Sequence, residues 1–222
     1  EDIDLIKQLY ASIGFNFAEV KSKVKDSNDG NIELLLEINK GSLARITKIS
    51  FVGDKRVREK RLRDVIASEE HKFYKFISKN TKFSQNLINL DTRLLQNYYK
   101  SIGYYDVNVT SSSAEVEKSG DVNLVYSIDA GNRYIFKKIT TNVDPVFDKN
   151  IFYPLRSEYK KIIGSYYSPF KIKELLESID ELIENNNLQF VEHNVEETIE
   201  KDGINIKFNI FEGKRVLVER IN

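Results

Sequence analysis

Ser127-Ile128-Asp129-Ala130-Gly131-Asn132-Arg133-Tyr134-Ile135-Phe136-Lys137-Lys138-Ile139 is the middle one of three related passages. The first is Glu37-Ile38-Asn39-Lys40-Gly41-Ser42-Leu43-Ala44-Arg45-Ile46-Thr47-Lys48-Ile49, and the third is Asn209-Ile210-Phe211-Glu212-Gly213-Lys214-Arg215-Val216-Leu217-Val218-Glu219-Arg220-Ile221. Each has an Ile, a Gly three later, an apolar residue five after the Gly, a base at seven and an Ile at eight. Self-similarity at a fixed period decides architecture before any local signal does. The glycines lie 90 residues apart (41 to 131) and then 82 (131 to 213). Units of that size are small domains, so the chain reads as beads in series rather than one globule.

Working outward from the first glycine, residues 43–52 are β-branched and apolar and end at Gly53-Asp54, a strand and turn. Val57 to Ala67 carries Leu62, Val65 and Ile66 at helical spacing. After a polar and aromatic connection, Ser84 can cap a helix in which Leu87, Leu90, Leu94 and Tyr98 recur, with Ile88, Leu95, Tyr99 and Ile102 widening the stripe. Gly103 is a natural helix stop. A strand then starts near Tyr104, with Val107, Val109, Ser111 and Ser113 on one face. Ser119-Gly120 makes a turn, and Val122, Leu124, Tyr126 and Ile128 alternate as a second strand. The order is strand, helix, helix, strand, strand.

The next unit repeats it. Tyr134–Asn142 is a strand, and Asn150–Ile163 a helix disturbed by Pro154 and ended by Gly164. Ser168-Pro169 opens a helix with Ile172, Leu175, Leu176, Ile179, Leu182 and Ile183 on its core face. Leu188–Ile199 and Ile204–Phe211 form a hairpin through Asp202-Gly203. Residues 1–40 supply only a second helix (Ile3, Ile6, Leu9, Tyr10, Ile13) and a hairpin around Asp29-Gly30. The expected division is therefore a partial domain at 1–40, complete domains at 41–130 and 131–212, and the first strand of another at 213–222. The fold class is α+β, each complete domain a three-stranded mixed sheet with two helices on one face. Such a sheet leaves edge strands with unpaired backbone donors and acceptors. Gly41, Gly131 and Gly213 mark the joints between domains, and the recurring Gly suits a position with φ > 0.

Ile46 and Ile49 are three apart, as are Phe136 and Ile139, and Val218 and Ile221. A regular strand would put such partners on opposite faces. Either a bulge re-aims one of them or one sits on the second face; recurrence favours the bulge.

Composition excludes several classes. Lys and Arg number 34 and Asp and Glu 34, for a net charge of zero, which argues against a nucleic-acid binder. The absence of Cys removes disulfides, thiol catalysis and cysteine zinc sites. No apolar run approaches the ~20 residues of a spanning helix; with the polar start at Glu1-Asp2 no signal peptide is visible, which leaves open one upstream of Glu1. His71 and His193 lie in different units, and neither a nucleophile elbow nor a glycine-rich phosphate loop appears. No enzyme activity, cofactor or metal is expected.

The repeated order, with Gly103-Tyr104-Tyr105-Asp106-Val107-Asn108-Val109 after the long helix, resembles the POTRA domain. Gly14-Phe15-Asn16-Phe17-Ala18-Glu19-Val20 is a second copy, and Ile46 to Lys55 is similar to that family's first strand and turn. The third copy, Asn187-Leu188-Gln189-Phe190-Val191-Glu192, departs by lacking the Gly. Tandem copies at this spacing resemble the periplasmic arm of the BamA-type outer-membrane assembly factors. The aromatic connection Phe73-Tyr74-Lys75-Phe76 to Phe83 is similar to that arm's third domain, which suggests units two to four.

The resemblance implies a bacterial periplasmic location and a downstream membrane barrel absent from this chain. The implied partners are unfolded outer-membrane proteins and accessory assembly lipoproteins. It also implies that the second strand of a unit is the free edge used for strand addition. Here that is Tyr105 to Ser113, with Tyr105, Val107, Asn108, Val109, Thr110, Ser111 and Ser113 as the candidate peptide-binding residues. Backbone pairing suits varied clients because it asks little of their sequence. The alternative for Thr110–Ser113 is an exposed strand end with no ligand. Alternative functions are a substrate-docking arm of a two-partner secretion or organelle import pore, and, from another class, a single-stranded RNA binder. The last would need a basic groove or a Gly-x-x-Gly loop, and neither is present.

Two of the other features have two readings each. The run Lys55 to Arg63 would contact an acidic partner or anionic head groups, or else be a solvated helix face, the favoured reading. The bases Lys48, Lys138 and Arg220 read as exposed strand positions. Tyr98, Tyr99, Tyr104 and Tyr105 would form either a groove for client aromatics or, the favoured reading, core and joint packing. Tyr166-Tyr167 is expected at an interface between units.

Overall fold

The computed structural model describes residues 2–15, 17–26, 32–72, 81–116 and 121–214. The turns at Asp29-Gly30 and Ser119-Gly120, the segment Phe73-Tyr74-Lys75-Phe76 and the strand expected after Lys214, with Val218, Arg220 and Ile221, lie outside the described residues. The chain divides into two compact units: residues 1–98 with 107–130, and residues 99–106 with 131–222.

The first unit begins with α1 (Asp2–Ser12), β1 (Glu19–Asp26) and β2 (Ile32–Asn39), the two strands pairing antiparallel. It continues with β3 (Arg45–Asp54), α2 (Glu59–Val65), α3 (Gln85–Ser101), β4 (Asn108–Val116) and β5 (Asp121–Asp129). The sheet order is β3-β5-β4, parallel between β3 and β5 and antiparallel between β4 and β5. The second unit holds β6 (Phe136–Val143), a 3₁₀ turn at Lys149–Phe152, α4 (Leu155–Ile162), α5 (Pro169–Asn185), β7 (Val191–Glu200) and β8 (Gly203–Glu212). Its sheet order, β6-β8-β7, repeats the first. In both, the last strand is central; the helical segment carries the chain from one edge strand to the other, and the second edge strand then pairs antiparallel with the central one.

The spacing of three between apolar residues is a bulge in both copies. Ladder register slips between Ile46 and Lys48 against Val122 and Asn123, and between Phe136 and Lys138 against Ile204 and Asn205. The extra residue, Thr47 or Lys137, returns the next apolar side chain to the core face, so Ile46 and Ile49, and Phe136 and Ile139, are all buried. Lys48 and Lys138 are exposed, as expected.

The core row of α3 differs from the row named first in the sequence. Ile88, Asp91, Leu95 and Tyr99 are buried, whereas Leu90 is 38% exposed and Leu87, Leu94 and Tyr98 are half-buried. The two rows are offset by one residue, about 100° of helix, and both are apolar apart from Asp91. Leu87 and Leu90 instead line a shallow recess with Ile13 and Gly14. In α5 the expected face holds: Ile172, Leu175 and Ile179 are buried, and Leu176, Leu182 and Ile183 pack against the same core. The expected helix at Asn150–Ile163 is split by Tyr153-Pro154 into the 3₁₀ turn and α4, as a proline without an N–H demands.

The repeated glycines form a clasp. Gly41 and Gly131 have φ of 64° and 65°. The carbonyl of Gly14 accepts from Ala44 N at 3.1 Å, and that of Gly103 from Tyr134 N at 2.8 Å. A Cβ on Gly41 would meet the carbonyl of Phe17, and one on Gly131 would meet Asp106, each three residues past the helix-end glycine. The glycine of the quoted passage and the glycine that ends a helix are thus two halves of one contact. Gly213 departs from the expectation: its φ is not in the left-handed region, and a Cβ there would lie 2.6 Å from Glu192 Oε1. At the helix end of the third copy, Asn187 takes the left-handed conformation (φ 52°) that Gly14 and Gly103 take in theirs, a role Asn fills better than most side chains.

Candidate strand-addition edge

β4 is bonded only to β5 among the described residues, so its other side is a sheet edge. Asn108, Thr110 and Ser112 stand opposite Asp129, Ser127 and Val125. The even-numbered residues of β5 turn their backbone groups toward β3: the Ile128 carbonyl abuts Gly53, and Val122 O accepts from Thr47 Oγ1. The odd-numbered residues therefore serve β4, and the outward N–H and C=O groups of β4 belong to Val109, Ser111 and Ser113.

Beside this edge lies a groove of about 640 Å³ between β4 and α3, lined by Asn86, Asn89, Thr92, Arg93, Val109, Thr110 and Ser111. Its wall is polar and short-chained at the strand and bears one cation, Arg93. An incoming extended segment could pair with the backbone of β4 and lay alternate side chains toward α3.

The candidate residues do not all share this edge. Tyr105 and Val107 precede the strand, which starts at Asn108. Val107 and Val109 are buried, and Thr110 and Ser111 are exposed. Tyr105 belongs to the second unit and packs edge-on against Tyr134 at 6.5 Å and Tyr167 at 5.0 Å between ring centroids. Burial, with Glu197 nearby, raises its phenol pKa. Its ring is committed to packing and cannot serve as a strand side chain. Gly41 and Gly131 sit in the clasp already described, and Gly213 sits against Glu192.

The tyrosine cluster follows the packing reading. Tyr99 is fully buried and meets Tyr104 edge-on at 5.8 Å. Arg133 lies 3.3 Å from the centroid of the Tyr166 ring and donates to the carbonyl of Ile102. Tyr167, buried within the second unit, donates to Glu197, and burial together with that carboxylate raises its pKa. The basic run is largely partnered rather than merely solvated. Lys55 pairs with Glu59, Arg56 with Asp54 and Arg63 with Glu70, and Arg61 lies over the Tyr98 ring.

Sequence reasoning missed Asp91. Its carboxyl is fully buried in α3 and accepts from Ala67 N at 2.6 Å, Ser68 N at 3.2 Å and Tyr126 Oη at 2.5 Å. It ties the helix connection and the central strand to the inner face of α3, whose outer face is the groove wall. Burial, then Asp91 itself, raises the pKa of Tyr126. The legible signal was an acid on an otherwise apolar row. No helix among the described residues is long and apolar enough to cross a membrane.

Residues 44–131 match the family described as "POTRA: Surface antigen variable number repeat". The outer membrane protein assembly factor BamA of Buchnera aphidicola is 24% identical over 97% of this chain, which spans 35% of that protein's length. The BamA of Nitratidesulfovibrio vulgaris is 24% identical over 63% of the chain, and the match spans 18% of that protein. Among solved structures, Haemophilus influenzae BamA POTRA3-5 aligns over 96% of this chain and 79% of that one, with a TM-score of 0.54 and 15% identity, a likeness of fold.

Proposed function

Since the chain is a POTRA array of the BamA type, we propose that it is a periplasmic binding module, not an enzyme, that takes up extended segments of unfolded outer-membrane proteins by strand addition at β4. Accessory assembly lipoproteins are the second class of partner. The observation that carries this reading is the open edge of β4 beside its groove with α3.

The energetics fit a transient role. Three outward residues with two backbone groups each offer about six hydrogen bonds, each worth ~0.5–1.5 kcal/mol net. Association and ordering cost ~4–15 kcal/mol. Only weak affinity is left over, supplied by backbone groups common to every client. A module that must hand its clients on gains from such weakness.

Titration of the 15N-labelled chain with a peptide from an outer-membrane β-strand should shift the amides of Asn108 to Ser113. Ser111→Pro removes one outward N–H at an edge position, where proline is tolerated, and should abolish those shifts at a stability cost below about 1 kcal/mol. An unperturbed β4 while other edges respond would overturn the assignment.

A further inference from the structure

The two units treat their other sheet edge differently. In the first, the outer side of β3 is closed. Ala44 O and Ile46 O accept from Phe83 N and His71 N. Past the bulge, the outward N–H of Ile49 donates to Glu70 Oε1 at 2.9 Å, and its carbonyl accepts from Arg63 Nη2. Arg63 and Glu70 are themselves paired at 2.8 Å. This ion pair plugs the edge at the point where an incoming strand would have to bond.

In the second unit the start of β6 is closed in the same way, with Phe136 N donating to Ser165 O and Phe136 O accepting from Gly164 N. The bulge stands at the same place, so the outward groups after it are those of Ile139, Thr141 and Val143, in register with Ile49, Phe51 and Gly53. Among the described residues no side chain or loop bonds the outward groups of Ile139 or Thr141. In place of the plug there is a groove of about 390 Å³ between β6 and the helical segment that follows it. Phe152 and Tyr159 floor it, and Lys149, Tyr153 and Arg156 flank it. Lys149 and Arg156 are exposed, Arg156 stacks on Tyr153 at 4.4 Å, and among the described residues no acid lines the groove.

We infer that β6 is a second strand-addition edge, selective for an extended polypeptide bearing acidic side chains. Pairing with Ile139 and Thr141 supplies the backbone bonds, and Lys149 and Arg156 neutralise carboxylates on alternate residues of the added strand. The inference rests on strand addition as the binding mode proposed above, but its site, unit and selectivity are separate from those of β4.

The test uses the whole chain, 15N-labelled, and an eight-residue peptide in which Glu alternates with Val. The Glu peptide should shift the amides of residues 139–143. Its Gln counterpart should bind about five- to tenfold more weakly, as expected for two exposed ion pairs. The double variant K149E/R156E alters only exposed side chains, should stay folded, and should lose the same factor. Thr141→Pro should abolish the shifts; should it fail to fold, the charge-reversal variant carries the test. Equal binding of the Glu and Gln peptides, or no change in K149E/R156E, overturns the inference. So do shifts confined to 108–113, which would leave β4 standing, whereas silence at both edges would overturn both.

Discussion

Asp91→Ala should destabilise the first unit severely. The side chain is fully buried and its three donors come from Ala67, Ser68 and Tyr126. A buried donor left without an acceptor costs ~1–3 kcal/mol. Ser68 and Tyr126 are buried and would bear that cost in full, while Ala67 is half-buried and can recruit water. The expected loss is about 2–6 kcal/mol, a large part of the ~5–15 kcal/mol that holds a domain together. Asp91→Asn keeps an acceptor for the two amides, and its NH2 can donate to Tyr126 Oη, so it should cost only about 1–2 kcal/mol. The assay is urea unfolding read by amide exchange, with Leu124 and Ile128 reporting the first unit and Ile206 and Phe208 serving as the internal reference in the second. A loss below about 1 kcal/mol for Asp91→Ala, or equal losses for the Ala and Asn variants, would refute the reasoning. The double-mutant cycle of Asp91→Asn with Tyr126→Phe should show coupling of about 1 kcal/mol.

The remaining predictions concern other parts of the chain. Gly131→Ala places a Cβ at φ 65° and should cost about 1–2 kcal/mol in thermal unfolding; Gly213→Ala, which needs only the Glu192 side chain to move, should cost less than about 0.5 kcal/mol. Burial opposes ionisation of Glu70, but the hydrogen bonds from Ile49 and Arg63 outweigh it and hold its pKa below the usual 4.5. Its contribution to stability is therefore present above pH 4.5 and fades as pH falls through the lower folded value. Glu70→Gln should flatten that acid limb in pH-dependent urea titrations; an unchanged limb would contradict the plug. Tyr105→Ala should weaken the second unit by about 2 kcal/mol, seen as faster exchange at Ile206 and Phe208.

The repeated passage made the element order and the bulge legible, because a spacing of three on a strand admits few physical solutions. The core row of α3 was not legible. Leu87, Leu90 and Leu94 compete with Ile88, Leu95 and Tyr99, and Asp91 interrupts the row that is in fact buried. Periodicity counts apolar residues and discards a buried acid, although three donors make that acid the best-anchored group on the helix. The strand expected at Tyr105 to Ser113 runs from Asn108 to Val116. Its start at Tyr105 was too early because the phenol of that residue is held by Tyr134 and Tyr167, partners distant in sequence. The difference between β3 and β6 could not be foreseen, since the plug depends on Glu70, a loop residue reaching back to a strand 21 positions earlier.

The segment 99–106 belongs to the second unit although β4 and β5 of the first follow it in the chain. The period of the sequence runs from glycine to glycine, whereas the period of folding is shifted back across a helix end. Duplication or recombination cut at Gly131 would separate Gly103 and Tyr105 from Tyr134 and hand the new neighbour half a contact. Gly14 and Gly103 are therefore each one half of a contact whose other half, Ala44 or Tyr134, lies past the next glycine of the repeat.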